Sequence, residues 1–169
     1  MHQPVINLDQ LIAQAPPAEY AAPGEAAARF APRCAMIGEL IGTKAFGCNL
    51  TVLAPGKRAF PFHNHRVNEE LFIVVEGSGE IRIGAQRHAL RKGDIVACPA
   101  GGQETAHQII NNSDAELRYL ALSTCLSPEV VEFPDSGKYA VIVEDADGTT
   151  LGQRTVGRLD ASVDYWEGE

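Results

Sequence analysis

The chain has 169 residues, of which 45% are hydrophobic, and this length and composition predict one soluble globular domain with a single core. Its formal net charge of -8 repels phosphate backbones, and its lysines and arginines form no stripe with interleaved aromatic residues, so nucleic acid is excluded as a partner. No apolar run is long enough to span a bilayer, and the first residues lack the features of a secretion signal. We therefore expect a cytoplasmic protein with no membrane partner.

Reduced thiols are predicted at Cys34, Cys48, Cys98 and Cys125.

An arm rich in alanine and proline, residues 1–32, opens the chain. Its sequence predicts at most one short helix, near Asp9 to Gln14, and a segment that wraps a surface. Residues 33–145 alternate in short apolar runs and glycine- or asparagine-rich turns, which is typical of an all-β sandwich or barrel. The predicted strands are Gly47 to Leu53, Phe60 to His65, Glu70 to Glu76, Gly79 to Ile83, Gln86 to Leu90, Asp94 to Cys98, Ala106 to Asn111, Leu117 to Ser123 and Tyr139 to Glu144.

The last segment, residues 146–169, is predicted to be an irregular tail. It carries the only tryptophan of the chain, Trp166, directly after Tyr165. An aromatic tail of this kind usually docks onto another surface. Since the chain contains no internal repeat, we expect one barrel domain between the arm and the tail.

Good metal ligands are concentrated in one short strand-turn-strand stretch, at His63, His65 and Glu70. Residues i and i+2 of a strand share a face, so the imidazoles of His63 and His65 project side by side. The chain has five histidines, and another of them, His107, lies in a second apolar stretch that also predicts a strand. This concentration of imidazoles with a carboxylate indicates a site for a divalent metal.

Glu69 competes with Glu70 for the role of the carboxylate ligand. Within the predicted strand Glu70 shares a face with Phe72 and Val74, whereas Glu69 lies on the other face. A carboxylate that points into an apolar barrel is costly unless a cation pairs with it. We therefore assign Glu70 to the metal and Glu69 to the surface.

These residues resemble the two sequence motifs of the cupin superfamily. The first motif is a glycine, His-x-His, a glutamate after three or four residues, and a glycine six residues later, and it is matched by Gly56, His63, His65, Glu70 and Gly77. The second motif is a glycine, Pro-x-Gly, a histidine and an asparagine, and it is matched by Gly93, Pro99, Gly101, His107 and Asn111. The gap before His107 is longer than usual by three residues, which lengthens a loop at the rim.

The resemblance implies a double-stranded β-helix, or jelly-roll, barrel in a single-domain (monocupin) protein of bacterial type. A homodimer is expected, because the strand that begins at Glu70 is apolar on both faces and both must be covered. The resemblance also implies one divalent ion, Zn, Mn, Fe or Ni, since the ligands alone do not select the metal. The implied ligands are His63, His65, Glu70 and His107.

Three functions stay open at this point. We favour a metal-dependent isomerase or lyase that acts on a polar small molecule such as a sugar or sugar phosphate. The alternatives are an iron-dependent dioxygenase and a non-catalytic module that binds a small molecule. No catalytic residue is assigned, but substrate contacts are expected from Asn111, Arg58 and Phe72. Lys57 and Arg66, which flank the metal strand, are further candidates to meet an anionic group.

Overall fold

Short strands are the main regular structure in the computed structural model, which describes residues 3–18, 21–144 and 151–169. The predicted boundary between barrel and tail, at 145–146, lies outside these residues. One short helix, α1 (Ile37–Ile41), follows the first strand, and within the described residues no helix is long and apolar enough to cross a membrane. The strands are β1 (Arg33–Ala35), β2 (Phe46–Leu53), β3 (Asn64–His65), β4 (Glu70–Glu76), β5 (Ser78–Ile83), β6 (Gln86–Arg91), β7 (Ile95–Cys98), β8 (His107–Ile110), β9 (Leu117–Thr124), β10 (Glu129–Phe133), β11 (Lys138–Glu144) and β12 (Leu151–Arg158).

The strands pair antiparallel in three sheets. A five-stranded sheet has the order β1-β2-β9-β4-β7, a three-stranded sheet the order β6-β5-β8, and a four-stranded sheet the order β12-β11-β10-β3. A bridge between His63 and His107 joins the last two sheets. Together they form the layer that faces the five-stranded sheet, so the architecture is the predicted jelly-roll barrel.

The main core fills the space between the two layers. Alternate residues of β4 and β9 point inward, among them Phe72, Val74 and Tyr119, and each of these is at most 6% exposed. The opposite layer contributes Ile81 and Ile109 to the same cluster. Period-two alternation therefore directs one face of each strand into the barrel, and this fixes the register of the metal-site residues at the strand ends.

A second apolar cluster lies on the outer face of the five-stranded sheet. Leu50 and Val52 of β2 are covered there by Ile37 of α1 and by arm residues that include Leu8 and Leu11. The arm thus packs along the sheet instead of extending into solvent. Burial of this second face explains why the strands of the sheet are apolar on both sides.

The arm, predicted to hold at most one short helix near Asp9 to Gln14, contains two 3₁₀ segments, Leu8–Gln10 and Gly24–Ala28. At the first of them the side chain of Asn7 accepts a hydrogen bond from the backbone N–H of Asp9 at 2.8 Å. The chain then extends, and Gln14 bridges to Cys34 of β1. Pairing with a sheet edge satisfies the backbone better here than a short isolated helix would.

Three further expectations differ from the structure. The strand expected at Phe60 to His65 is limited to Asn64–His65, because Pro61 has no N–H to donate to a ladder. Strand β10 was not predicted, because Glu129 and Glu132 interrupt the alternation of apolar and polar residues that indicates a strand. The tail is not wholly irregular: β12 adds to the edge of the four-stranded sheet through backbone pairing with β11. Its two glycines and its mostly exposed side chains gave no apolar pattern to detect.

We expect Gly77→Ala to destabilise the barrel more than Gly93→Ala does. Both glycines have a left-handed backbone, with φ of 81° and 93°, so an alanine at either position costs about 1 kcal/mol in strain. A Cβ at Gly77 would also overlap the carbonyl oxygen of Glu116, whereas one at Gly93 would meet nothing within 4 Å. Urea denaturation should show a loss of about 3 kcal/mol for Gly77→Ala and about 1 kcal/mol for Gly93→Ala. Equal losses would contradict the close approach of β9 to this turn.

Candidate metal centre

The motif histidines are brought together by direct pairing of their backbones. His63 and His107 exchange two backbone hydrogen bonds, of 2.7 Å and 3.2 Å, just before β3 and at the start of β8. The lengthened loop before His107 folds back onto β3, where the N–H of Gly101 donates to the carbonyl of His65 at 2.8 Å. The extra loop residues therefore leave His107 next to the other two histidines.

Three imidazoles converge on the carboxylate of Glu70, the first residue of β4. The distances from Glu70 Oε2 to the Nε2 atoms are 2.7 Å for His107, 3.3 Å for His65 and 3.7 Å for His63. The ligand atoms of His63, Glu70 and His107 all lie within 4.8 Å of one another. His65 stands slightly apart from His107, with ring centroids 6.3 Å apart against 4.7 Å between His63 and His107.

The second nitrogen of each imidazole has a hydrogen-bond acceptor. Nδ1 of His63 lies 2.8 Å from the carbonyl of Pro61, and Nδ1 of His107 lies 3.2 Å from the carbonyl of Thr105. Because a carbonyl can only accept, these contacts place a proton on Nδ1 and leave Nε2 to point at the centre. This is the arrangement in which metal-ligating histidines are usually held.

Burial and charge favour a cation at this centre. Burial, followed by the neighbouring His107, lowers the pKa of His63 to about 4, so its imidazole is neutral at neutral pH. Burial raises the pKa of Glu70, but the contact with Nε2 of His107 at 2.7 Å and the longer contacts with His65 and His63 outweigh it and hold the pKa well below its usual range. At 3.3 Å, Nε2 of His65 lies near Glu70 without the geometry of a hydrogen bond. A carboxylate that stays ionised beside three imidazole nitrogens fits a divalent metal, which would displace any proton from those nitrogens.

Glu129 supports the centre, although the sequence did not indicate it. Its carboxylate is buried at the start of β10 and lies 3.3 Å from Nδ1 of His65. It also accepts the backbone N–H groups of Arg66, Val67 and Asn68 at 3.2, 3.1 and 2.8 Å. Glu129 thus orients the His65 ring and folds the turn between the histidines and Glu70. Burial opposes the charge of Glu129, but hydrogen bonds from Asn68 outweigh it and lower the pKa.

A cavity of about 60 Å³ adjoins the centre, and His63, Glu70 and His107 form part of its wall. Phe72, expected to contact a substrate, is in this wall, with its ring 5.5 Å from that of His107. Asn49 lies there too, and its amide oxygen accepts from the hydroxyl of Thr51 at 2.7 Å. Other residues of the wall are Phe60, Gln108 and Tyr119.

The other two residues expected to contact a substrate, Asn111 and Arg58, are not part of this wall. The Asn111 amide is fully buried and donates to the carbonyls of Leu53 and Ala115 at 2.9 and 2.8 Å, so it closes a turn instead of facing a ligand. Arg58 bridges Phe30 and Ile110 through its backbone. Glu69 is exposed, as expected for the face opposite to Glu70.

Two more charged candidates are engaged away from the centre. Lys57 donates to the carbonyl of Ala28 at 2.7 Å, and Arg66 pairs with Glu132 at 2.8 Å.

Cys98 lies directly opposite Glu70 in the sheet, but burial and then the charge of Glu70 raise the pKa of its thiol to about 12. Cys98 therefore stays protonated and is no thiolate ligand.

The fold is a jelly-roll barrel in which three histidines and a glutamate converge. Comparison with known proteins gives the family of this domain. The model of the cupin domain matches residues 49–123, which span both motifs and the strands between them. Residues 49–123 therefore form a cupin domain. No curated protein sequence matches it significantly.

Two solved structures are similar to the chain over most of its length. A cupin-superfamily sugar phosphate isomerase from Silicibacter pomeroyi is 27% identical, with a TM-score of 0.77 and coverage of 94% of this chain and 95% of that one. A proposed sugar phosphate isomerase from Acidithiobacillus ferrooxidans is 22% identical, with a TM-score of 0.69 and coverage of 79% of this chain and 80% of that one. The second likeness supports the fold alone.

We expect Glu70→Gln to abolish metal binding and Glu69→Gln to leave it intact. Glu70→Gln removes the negative charge on which the imidazoles converge. Glu69→Gln also removes one negative charge, but from an exposed side chain next to it in the sequence. Calorimetric titration with Zn²⁺ should show an affinity loss of more than about 100-fold for Glu70→Gln only. If Glu69→Gln releases the metal instead, the register of β4 is off by one residue.

We expect Glu129→Gln to weaken Zn²⁺ binding by about 10- to 100-fold while the ligands stay in place. The amide still accepts one hydrogen bond from the turn, but it lacks the charge that orients Nδ1 of His65. Glu132→Gln is the matched control, since its carboxylate pairs with Arg66 and Asn64 on the other face of β10. Nitrogen NMR of the metal-free protein should show a changed His65 tautomer only in Glu129→Gln. An unchanged tautomer and affinity would contradict this role.

Proposed function

We propose that the protein is a metal-dependent isomerase of a sugar phosphate. The observation that carries this proposal is the convergence of three imidazole Nε2 atoms on the Glu70 carboxylate beside a small cavity. The likeness to the Silicibacter pomeroyi sugar phosphate isomerase over nearly the whole chain supports the substrate class. The homodimer and the cytoplasmic location expected from the sequence stay predictions.

In this proposal His63, His65, Glu70 and His107 hold one divalent ion. When bound, the ion supplies Lewis-acid chemistry: it polarises adjacent oxygens of the substrate and lowers the cost of removing a proton between them. Zn, Mn, Fe and Ni all suit this ligand set.

The residues around the ion position the substrate and exclude water. Phe60, Phe72 and Tyr119 present ring surfaces in the cavity wall, which lowers the local dielectric and strengthens electrostatic interactions with a bound polar group. The amide oxygen of Asn49 accepts a hydrogen bond from Thr51, so its amino group can donate to a substrate hydroxyl. The cavity of about 60 Å³ takes the reacting end of a sugar, and the rest must extend outward.

Proton NMR in D₂O with a panel of aldose and ketose phosphates tests the proposal. The metal-loaded protein should interconvert one aldose–ketose pair and exchange a carbon-bound proton at the reacting position. His65→Ala should lose both turnover and metal, while Glu69→Gln keeps both. Consumption of oxygen by the iron-loaded protein would overturn the proposal in favour of a dioxygenase. Tight binding of a sugar phosphate without turnover would point to the non-catalytic binding module.

A further inference from the structure

A row of side chains leads away from the metal centre across the four-stranded sheet. The register places Phe133 of β10 opposite Lys138 of β11, and Lys138 opposite Arg158 of β12. The register between β3 and β10, extended by one residue, places His63 opposite Phe133. Directly opposed residues of an antiparallel sheet share a face, so these four side chains stand on the face that carries the metal ligand. We call Phe133, Lys138 and Arg158 the basic row.

Side-chain contacts link the basic row to His63. The ring of Phe133 is stacked beside the imidazole of His63, with centroids 6.3 Å apart and an angle of 30° between the planes. The ammonium of Lys138 lies 5.7 Å from the centre of the same phenyl ring. One aromatic side chain therefore separates the nearest cation of the row from a metal ligand.

Two cations opposite each other repel, so the basic row is unfavourable unless an anion joins it. Arg158 pairs with Asp160 at 3.0 Å, but both side chains are largely exposed, and such a surface pair contributes little. Among the residues that the structure describes, no carboxylate forms an ion pair with Lys138. The chain has a net charge of -8, yet none of the described carboxylates offsets the repulsion between Lys138 and Arg158 by pairing with Lys138.

The other cations near the site are less suitable for a ligand. Arg66 is bound to Glu132, and both lie with Asn64 on the face of β3 and β10 opposite to the basic row. Lys57 is held by a backbone carbonyl of the arm. Arg154 stands on the same face as His63, but it is paired with Ile142, two residue pairs further along the sheet. Lys138 and Arg158 are thus the cations that stand in register with His63 and Phe133.

We propose that Lys138 and Arg158 form an anion subsite that binds the phosphate group of the substrate. This inference rests on the proposed function and says where the phosphate lies. The two ends of a sugar phosphate are separated by several carbon–carbon bonds, so its reacting oxygens reach the metal centre while its chain passes over Phe133. Charge-assisted hydrogen bonds from an ammonium and a guanidinium suit phosphate oxygens.

Calorimetric titration of the metal-loaded protein with inorganic phosphate at low ionic strength tests the subsite. Lys138→Gln and Arg158→Gln should each weaken phosphate binding by about tenfold, the effect of one lost charge-assisted hydrogen bond. Lys92→Gln removes the same charge from an exposed turn between β6 and β7 and should leave the affinity unchanged. Equal affinities for Lys138→Gln and Lys92→Gln would overturn the subsite. Binding that is lost in His65→Ala and kept in Lys138→Gln would also overturn it, because phosphate would then bind the metal.

Steady-state kinetics separates this inference from the proposed function. With the sugar phosphate that is turned over, Lys138→Gln should raise KM about tenfold with little change in kcat, and Lys138→Arg should restore most of the affinity. Turnover with an unchanged KM in Lys138→Gln would overturn the subsite and leave the isomerase standing. Phosphate binding that depends on Lys138, without turnover of any sugar phosphate, would support the subsite and overturn the isomerase. Circular dichroism of each variant checks that the barrel is folded.

Discussion

The desolvated carboxylate of Glu70, met by three imidazole nitrogens, is the interaction on which the rest of the structure depends. An ionised group inside an apolar barrel is costly unless it is paired, and the imidazoles of His63, His65 and His107 contact it. A bound cation would satisfy the carboxylate and the nitrogens together, and its binding free energy would stabilise only the folded chain. The barrel is built to bring these four residues together, since they come from both of its layers.

Orientation of the imidazoles depends on the residues around the ligands. The carbonyls of Pro61 and Thr105 hold two of the rings, and the carboxylate of Glu129 holds the third. Glu129 also gathers the N–H groups of the turn that leads to Glu70, so one side chain couples β10 to the geometry of the centre. Beyond β10, the same sheet carries Lys138 on the face of the ligands. The four-stranded sheet therefore connects the candidate metal ligands His63 and His65, the supporting Glu129 and the proposed anion subsite.

Much of this arrangement could be predicted from the sequence, because strong local patterns carry it. The alternation of β4 identified the inward face of Glu70, and the spacing of both motifs identified the histidines. Glu129 could not be found, because its role depends on a hydrogen bond to a residue 64 positions away. Lys138 was missed for the same reason: only the register of β10 with β11 brings it to the face of His63. Charge near the motif in sequence pointed to Arg66, which pairs with Glu132.

The central claim is that these four side chains hold one metal ion. Anomalous diffraction from crystals of the protein, collected on both sides of the absorption edge of the metal found by elemental analysis, tests it most directly. The account predicts one strong anomalous peak per chain, in contact with the Nε2 atoms of His63, His65 and His107 and with the carboxylate of Glu70. A metal-loaded crystal with no peak there, or with its peak at other residues, would contradict the account.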